Sequence, residues 1–160
     1  MKGSALLLLA TALVAGADEP KPGGDRDRLQ GAWRLVSWAS DGRDLVADHP
    51  DLFQAMDVRW TFEGDTLAQT GTFQGLNERG VEERAFRLDP GQSPKWLDVR
   101  SGRGPDAPFH KGIYALDGKK LRVCYNPDPR SGDRPAAFAA GKGSKCLLFE
   151  FERVGGPKQK

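Results

Sequence analysis

The chain has 160 residues, and its 24 basic and 22 acidic residues are interspersed along it. That length suits one domain, and the charge balance provides neither a basic stripe for phosphate backbones nor a polyacidic tail. Nucleic acid and anionic membrane surfaces are therefore poor partners on charge alone.

The N-terminus reads as an export signal. Met1-Lys2 is a short positive region, and Ala5 to Ala15 is an unbroken run of Ala, Leu, Thr and Val. The run has signal-peptide length and is too short to span a hydrocarbon core of ~30 Å as a helix. Ala15-Gly16-Ala17 supplies small residues for cleavage, giving a signal peptide over 1–17 and a mature chain starting near Asp18. The expected destination is the periplasm or the exterior. No later apolar run reaches membrane-spanning length. Residues 18–28, rich in Pro, Gly and charge, read as a disordered leader, and 155–160 as a similar tail.

Between them, residues 29–154 form a succession of short strand patterns. Ala32 to Ser40 is rich in Trp, Val and Leu and ends at the hairpin dipeptide Asp41-Gly42. His49 to Met56, with Pro50 near its start, predicts one or two helical turns. Val58 to Glu63 alternates, with Val58, Trp60 and Phe62 on one face, and Gly64-Asp65 turns it into Thr66 to Phe73. Val81 to Leu88 stops at Asp89-Pro90-Gly91, and Trp96 to Ser101 follows Pro94. Gly112 to Leu116 leads through Asp117-Gly118 into Leu121 to Tyr125, and Cys146 to Glu152 alternates again. Eight short strands at roughly ten-residue spacing predict an all-β fold. An antiparallel up-and-down barrel with one short helical segment is preferred to an open meander, because closure removes exposed edges.

Little in the chain resembles reaction chemistry. His49 and His110 read as loop residues without a ligand partner at i+2 or i+4, so no metal site is expected. No serine lies in a Gly-x-Ser-x-Gly context, and the glycine-rich segments at 102–105 and 141–144 lack phosphate-loop spacing. Neither a cofactor nor catalysis is expected. Alternation puts Cys124 beside Arg122 and Cys146 beside Glu150, both on the outer face if their strands are neighbours. A disulfide and two unpaired thiols both remain open. A bridge would close a loop of about twenty residues and contribute about 3 kcal/mol.

Leu29-Gln30-Gly31-Ala32-Trp33 resembles the N-terminal signature of the lipocalin superfamily. That resemblance implies that Trp33 closes the barrel base, with Gly31 at its entry and Arg153 packed over the indole. A cation so placed is worth about 0.5–2 kcal/mol. Further segments follow in order: Trp60 to Asp65, Phe86 to Pro90, Ser93 to Asp98, Gly112 to Gly118, Leu121 to Cys124 and Arg134 to Phe138. Together they resemble a lipocalin-like domain family of planctomycete bacteria, over about Leu29 to Arg153. The family implies a barrel and a frequent signal peptide. It carries no agreed activity, and Cys146 lies outside its pattern.

The aromatics at inward-capable positions are Trp33, Trp60, Phe62, Phe86, Tyr114, Tyr125, Phe149 and Phe151. In a small barrel such residues fill the interior or line a cavity for one ligand. The expected function is an exported, non-enzymatic binding domain, monomeric, taking a small apolar molecule or an exported protein. Trp60, Phe62, Tyr114 and Tyr125 are the candidate cavity residues, and the loops at 46–57, 102–111 and 126–145 the candidate contact surfaces. A structural or interaction module with a filled core is the alternative; an enzyme using barrel-mouth carboxylates is the second.

Overall fold

A computed structural model describes residues 23–71 and 80–155. The signal segment, its cleavage site, the first part of the leader and residues 156–160 lie outside the described residues, as does the predicted end of the strand at 72–73. In chain order the elements are α1 (Asp25–Leu29), β1 (Gly31–Ser40), β2 (Arg43–Asp44), α2 (Leu45–Asp48) and α3 (Pro50–Met56). They continue with β3 (Arg59–Glu63), β4 (Thr66–Gly71), β5 (Gly80–Asp89), β6 (Lys95–Arg100), β7 (Phe109–Asp117), β8 (Lys120–Tyr125) and β9 (Leu147–Arg153).

Strands β3 to β9 pair antiparallel with their neighbours in sequence, and β1 pairs with both β3 and β9. These eight strands close an up-and-down barrel, the architecture of a lipocalin-like domain, with β2 a short tab on β1. Period-two alternation turns one face of each strand inward. Trp60 and Phe62 of β3, Leu67 of β4, Phe86 of β5, Leu97 and Val99 of β6, Tyr114 of β7, Leu121 and Val123 of β8, and Phe149 and Phe151 of β9 form one cluster.

Strand β1 departs from strict alternation. Its register against β9 shifts between Leu35 and Ser37, so one extra residue is inserted at Val36. Leu35 and Trp38 therefore both pack against the core although they are three residues apart. Strict alternation would send Trp38 outward, which is why it escapes the inward aromatic set read from sequence.

The two ends of the barrel differ. At one end lie the hairpins at Gly64-Asp65, Asp89 to Lys95 and Gly118-Lys119, together with α1. At the other lie α2, α3, the 101–108 connection and the start of the 126–145 segment. Pairing of β5 with β6 runs only from Asp89↔Trp96 to Phe86↔Val99. Toward the second end, the two strands separate.

Several expectations need correction. The leader is helical over Asp25 to Arg28, because α1 is held by tertiary contacts that local composition does not reveal. The described residues contain two further short helices besides α3. Asp44 caps α2, accepting from Val46 N at 3.0 Å and Ala47 N at 3.2 Å. Strand β7 begins at Phe109 rather than Gly112, which takes His110 out of a loop and into the sheet.

Candidate ligand-binding recess

The closed end is filled and hydrogen-bonded throughout. Trp33 is fully buried; its Nε1 donates to Leu29 O at 2.8 Å, and the Arg153 guanidinium lies 4.2 Å from its ring. Arg153 also donates to Gln30 O at 2.8 Å and to Arg28 O, tying the last strand to the chain entering β1. Gly31 has φ +103°, a region that strains L side chains, and a Cβ there would lie 3.3 Å from Arg153 Nη1. Asp25 accepts from Lys95 Nζ at 2.6 Å, the Tyr114 hydroxyl at 2.8 Å and Arg28 Nη1 at 3.2 Å. Burial acts to raise the Asp25 carboxyl, but the hydrogen bonds and charges of Lys95, Tyr114 and Arg28 outweigh it and hold it below its ordinary value. Burial and the Asp25 carboxylate push the Tyr114 hydroxyl up.

Of the four cavity candidates, the structure therefore divides two from two. Phe62 and Tyr114 are buried in the filled half, at 1% exposure each. Trp60 and Tyr125 line an open recess of about 610 Å³ at the other end, with Trp38, Gln69, Glu82 and Phe149 among its walls. Its aromatic surface is continuous. Tyr125 and Phe149 stack at 5.5 Å with their planes 15° apart, and Phe149 meets Trp38 at 5.4 Å and Trp60 at 5.6 Å. Phe53 of α3 packs edge-on against Trp38 at 5.9 Å, so the predicted helical segment buttresses one wall.

A polar cluster adjoins this apolar wall. Arg84 pairs across the sheet with the buried Leu67, and Glu82 with Gln69, so both project from the inner face of β5. His110 pairs with the buried Val99 and likewise faces inward, its ring 5.4 Å from Tyr125. Gly112, one inward position along, has no room for a side chain, since a Cβ would lie 2.9 Å from Tyr125 Cβ and 2.8 Å from Leu97 O. Arg84 Nη2 forms an ion pair with Glu82 at 2.7 Å.

Four buried polar atoms have no hydrogen-bond partner among the described residues: Trp38 Nε1, Arg84 Nε, His110 Nδ1 and Arg100 Nε. Burial, reinforced by the Arg84 charge, lowers His110 against the opposing pull of the Asn126 and Pro127 backbone and the Asp128 charge. Burial raises the Tyr125 hydroxyl, helped by Glu82 and opposed by Arg84. Neither Arg84 nor His110 stands out in sequence. Arg84 ends a run of three consecutive charges in its strand, and His110 sits in a stretch whose Pro and Gly resemble a loop.

The cysteines lie outside the barrel wall. Both are free thiols, Cys124 buried and Cys146 partly exposed. Cys124 pairs with Leu148, so Cys146 occupies the diagonal position two residues earlier. Burial raises the Cys124 thiol to about 11; the Ala139 carbonyl opposes this and the neighbouring Cys146 adds to it.

Segment 126–145, one of the expected contact loops, lies over Cys124, whose Sγ is 3.6 Å from Ala139 O. Arg134 clamps it, donating to Asp98 Oδ1 at 2.6 Å and Oδ2 at 3.1 Å and lying 4.1 Å from the Trp96 ring. Of the other expected contact segments, 46–57 is largely α2 and α3, and 102–111 ends in β7.

Among the described residues no group of three or more His, Cys, Asp or Glu side chains is placed to hold a metal ion. No described helix is long and apolar enough to cross a membrane. The class the coordinates define is a closed antiparallel barrel with one filled end and one recessed end. No protein-family model and no curated protein matches the chain.

Proposed function

We propose that this chain is an exported lipocalin-like domain that acts by binding a small apolar molecule in the open-end recess, without catalysing a reaction on it. The recess of about 610 Å³, walled by Trp38, Trp60, Tyr125 and Phe149, is the observation that carries the reading. Ligand sites of about 300–1,000 Å³ with apolar walls and a few convergent polar groups are the usual form for small molecules. The signal-like N-terminus supports export, and the order of motifs between Leu29 and Arg153 supports kinship with planctomycete lipocalin-like domains.

Two of the four tryptophans, Trp38 and Trp60, line the recess, so occupancy should change intrinsic fluorescence. Titration with the neutral probe N-phenyl-1-naphthylamine should quench tryptophan emission saturably. Native mass spectrometry of protein purified from its own host should show a retained small-molecule mass. Unaltered emission together with a single unliganded mass would count decisively against the binding reading.

A further inference from the structure

The recess is apolar along one wall and carries Glu82 and Arg103 at its margin, with His110 and Arg84 beside it. Its aromatic wall runs from Trp38 through Phe149 to Tyr125, with neighbouring rings 5.4–5.5 Å apart. Beyond Tyr125 come His110 and Arg84, both on inward-facing strand positions. Arg84 occupies the place where β5 has just parted from β6. A second hollow of about 500 Å³ opens there, and Arg84, Arg100 and Arg103 contribute to its walls along with Glu83. Arg103 and Val81 border both hollows, and Glu82, the partner of Arg84, borders the first.

A guanidinium offers five N–H donors in a planar fork that fits two oxygens of one carboxylate. Arg84 spends one arm on Glu82, while its buried Nε has no partner among the described residues. Its side chain is only 18% exposed, so solvent reaches it poorly. An unsatisfied buried donor on a charged group is costly, and a ligand acceptor would offset that cost. The Arg84 charge bears on both His110 and Tyr125, which places all three groups in one electrostatic neighbourhood. Glu82 supplies the only carboxylate paired with Arg84 among the described residues, from a side chain that is 47% exposed and can swing away.

We infer that the occupant is a planar apolar carboxylate, its ring laid on the Trp38–Phe149–Tyr125 wall and its acid group received by Arg84 in place of Glu82. This rests on the recess being the binding site and adds the ligand's charge and orientation. A neutral analogue would keep the ring contact but leave the guanidinium fork unfilled. A cation would meet Arg84 with like charge.

Calorimetric titration of the full chain with naphthalene-2-carboxylate and with naphthalene-2-methanol tests it. The acid should bind at least tenfold tighter than the alcohol. Arg84→Met should abolish that preference while leaving the alcohol's affinity within about twofold. Glu82→Gln, a change at a half-exposed position, should tighten acid binding severalfold by releasing Arg84, and so tests the idea independently of how Arg84→Met folds. Equal affinities for the two probes, or a Glu82→Gln variant that binds the acid no better, would overturn the assignment while leaving an apolar recess intact. If neither probe binds and the neutral fluorescent probe also fails, the recess reading falls and takes this inference with it.

Discussion

The two ends of the barrel are built from the same alternating strands and nearly the same residue types, yet they have opposite polar economies. At the closed end each key polar group is answered: Trp33 by Leu29 O, Arg153 by Gln30 O and Arg28 O, and Asp25 by Lys95, Tyr114 and Arg28. At the open end Trp38, Arg84 and His110 each retain a buried polar atom without a partner. A buried polar atom left unpaired costs about 1–3 kcal/mol, so stability alone does not favour the second arrangement. The contrast teaches that the filled end holds the fold and the recessed end is shaped for something else.

The largest expected effect probes the filled end. Trp33→Ala should destabilise by about 3–5 kcal/mol, since it removes a fully buried indole, its hydrogen bond and the Arg153 contact. Urea unfolding would measure it. A loss below about 1 kcal/mol would erase the difference between the ends.

Next in size is Asp25→Asn, expected to cost about 1–3 kcal/mol by weakening charge-assisted hydrogen bonds, with the part-exposed Lys95 and Arg28 contributions damped by solvent. Its pH dependence has a definite sign. The folded-state value lies below the ordinary 3.8, so the wild-type advantage is present above that value and is lost as pH falls through the lower, folded one. Unfolding curves of the two proteins should therefore converge in strong acid and differ near neutrality.

Arg134→Ala addresses the outer wall. Release of the Asp98 and Trp96 contacts should loosen segment 126–145 and expose Cys124. A thiol reagent should label the partly exposed Cys146 first in both proteins. Cys124 should react about tenfold faster in the variant, equivalent to about 1.4 kcal/mol of easier opening. An unchanged Cys124 rate would show that Arg134 is not the clasp.

The smallest effect should come from Trp38→Phe. It keeps an aromatic ring against Phe149 while deleting an N–H that has no partner, so stability should change by no more than about 0.5 kcal/mol. Comparison with Trp33→Phe, which deletes a paired N–H and costs more, isolates the difference between the ends from indole size.

Much of this architecture is legible along the chain. Alternation in Val58 to Glu63, Leu121 to Tyr125 and Cys146 to Glu152 corresponds to β3, β8 and β9 nearly residue for residue. All eight aromatics read as inward lie in or against the core cluster. The candidate site was less legible. Two of its four expected residues belong to the filled end. Trp38 was hidden by a bulge that breaks the period of two. Arg84 and His110 acquire meaning only from strands that pair on one side and part on the other.

The sequence by itself determined the strands, the turns and the side of each strand that faces the core, because these depend on periodicity within a few residues. Tertiary structure decided which end is filled and which is recessed. That outcome depends on α1 reaching Lys95 and Tyr114, and on β5 separating from β6 beyond Phe86. Those contacts join residues as far as 89 positions apart, a separation to which local pattern is blind.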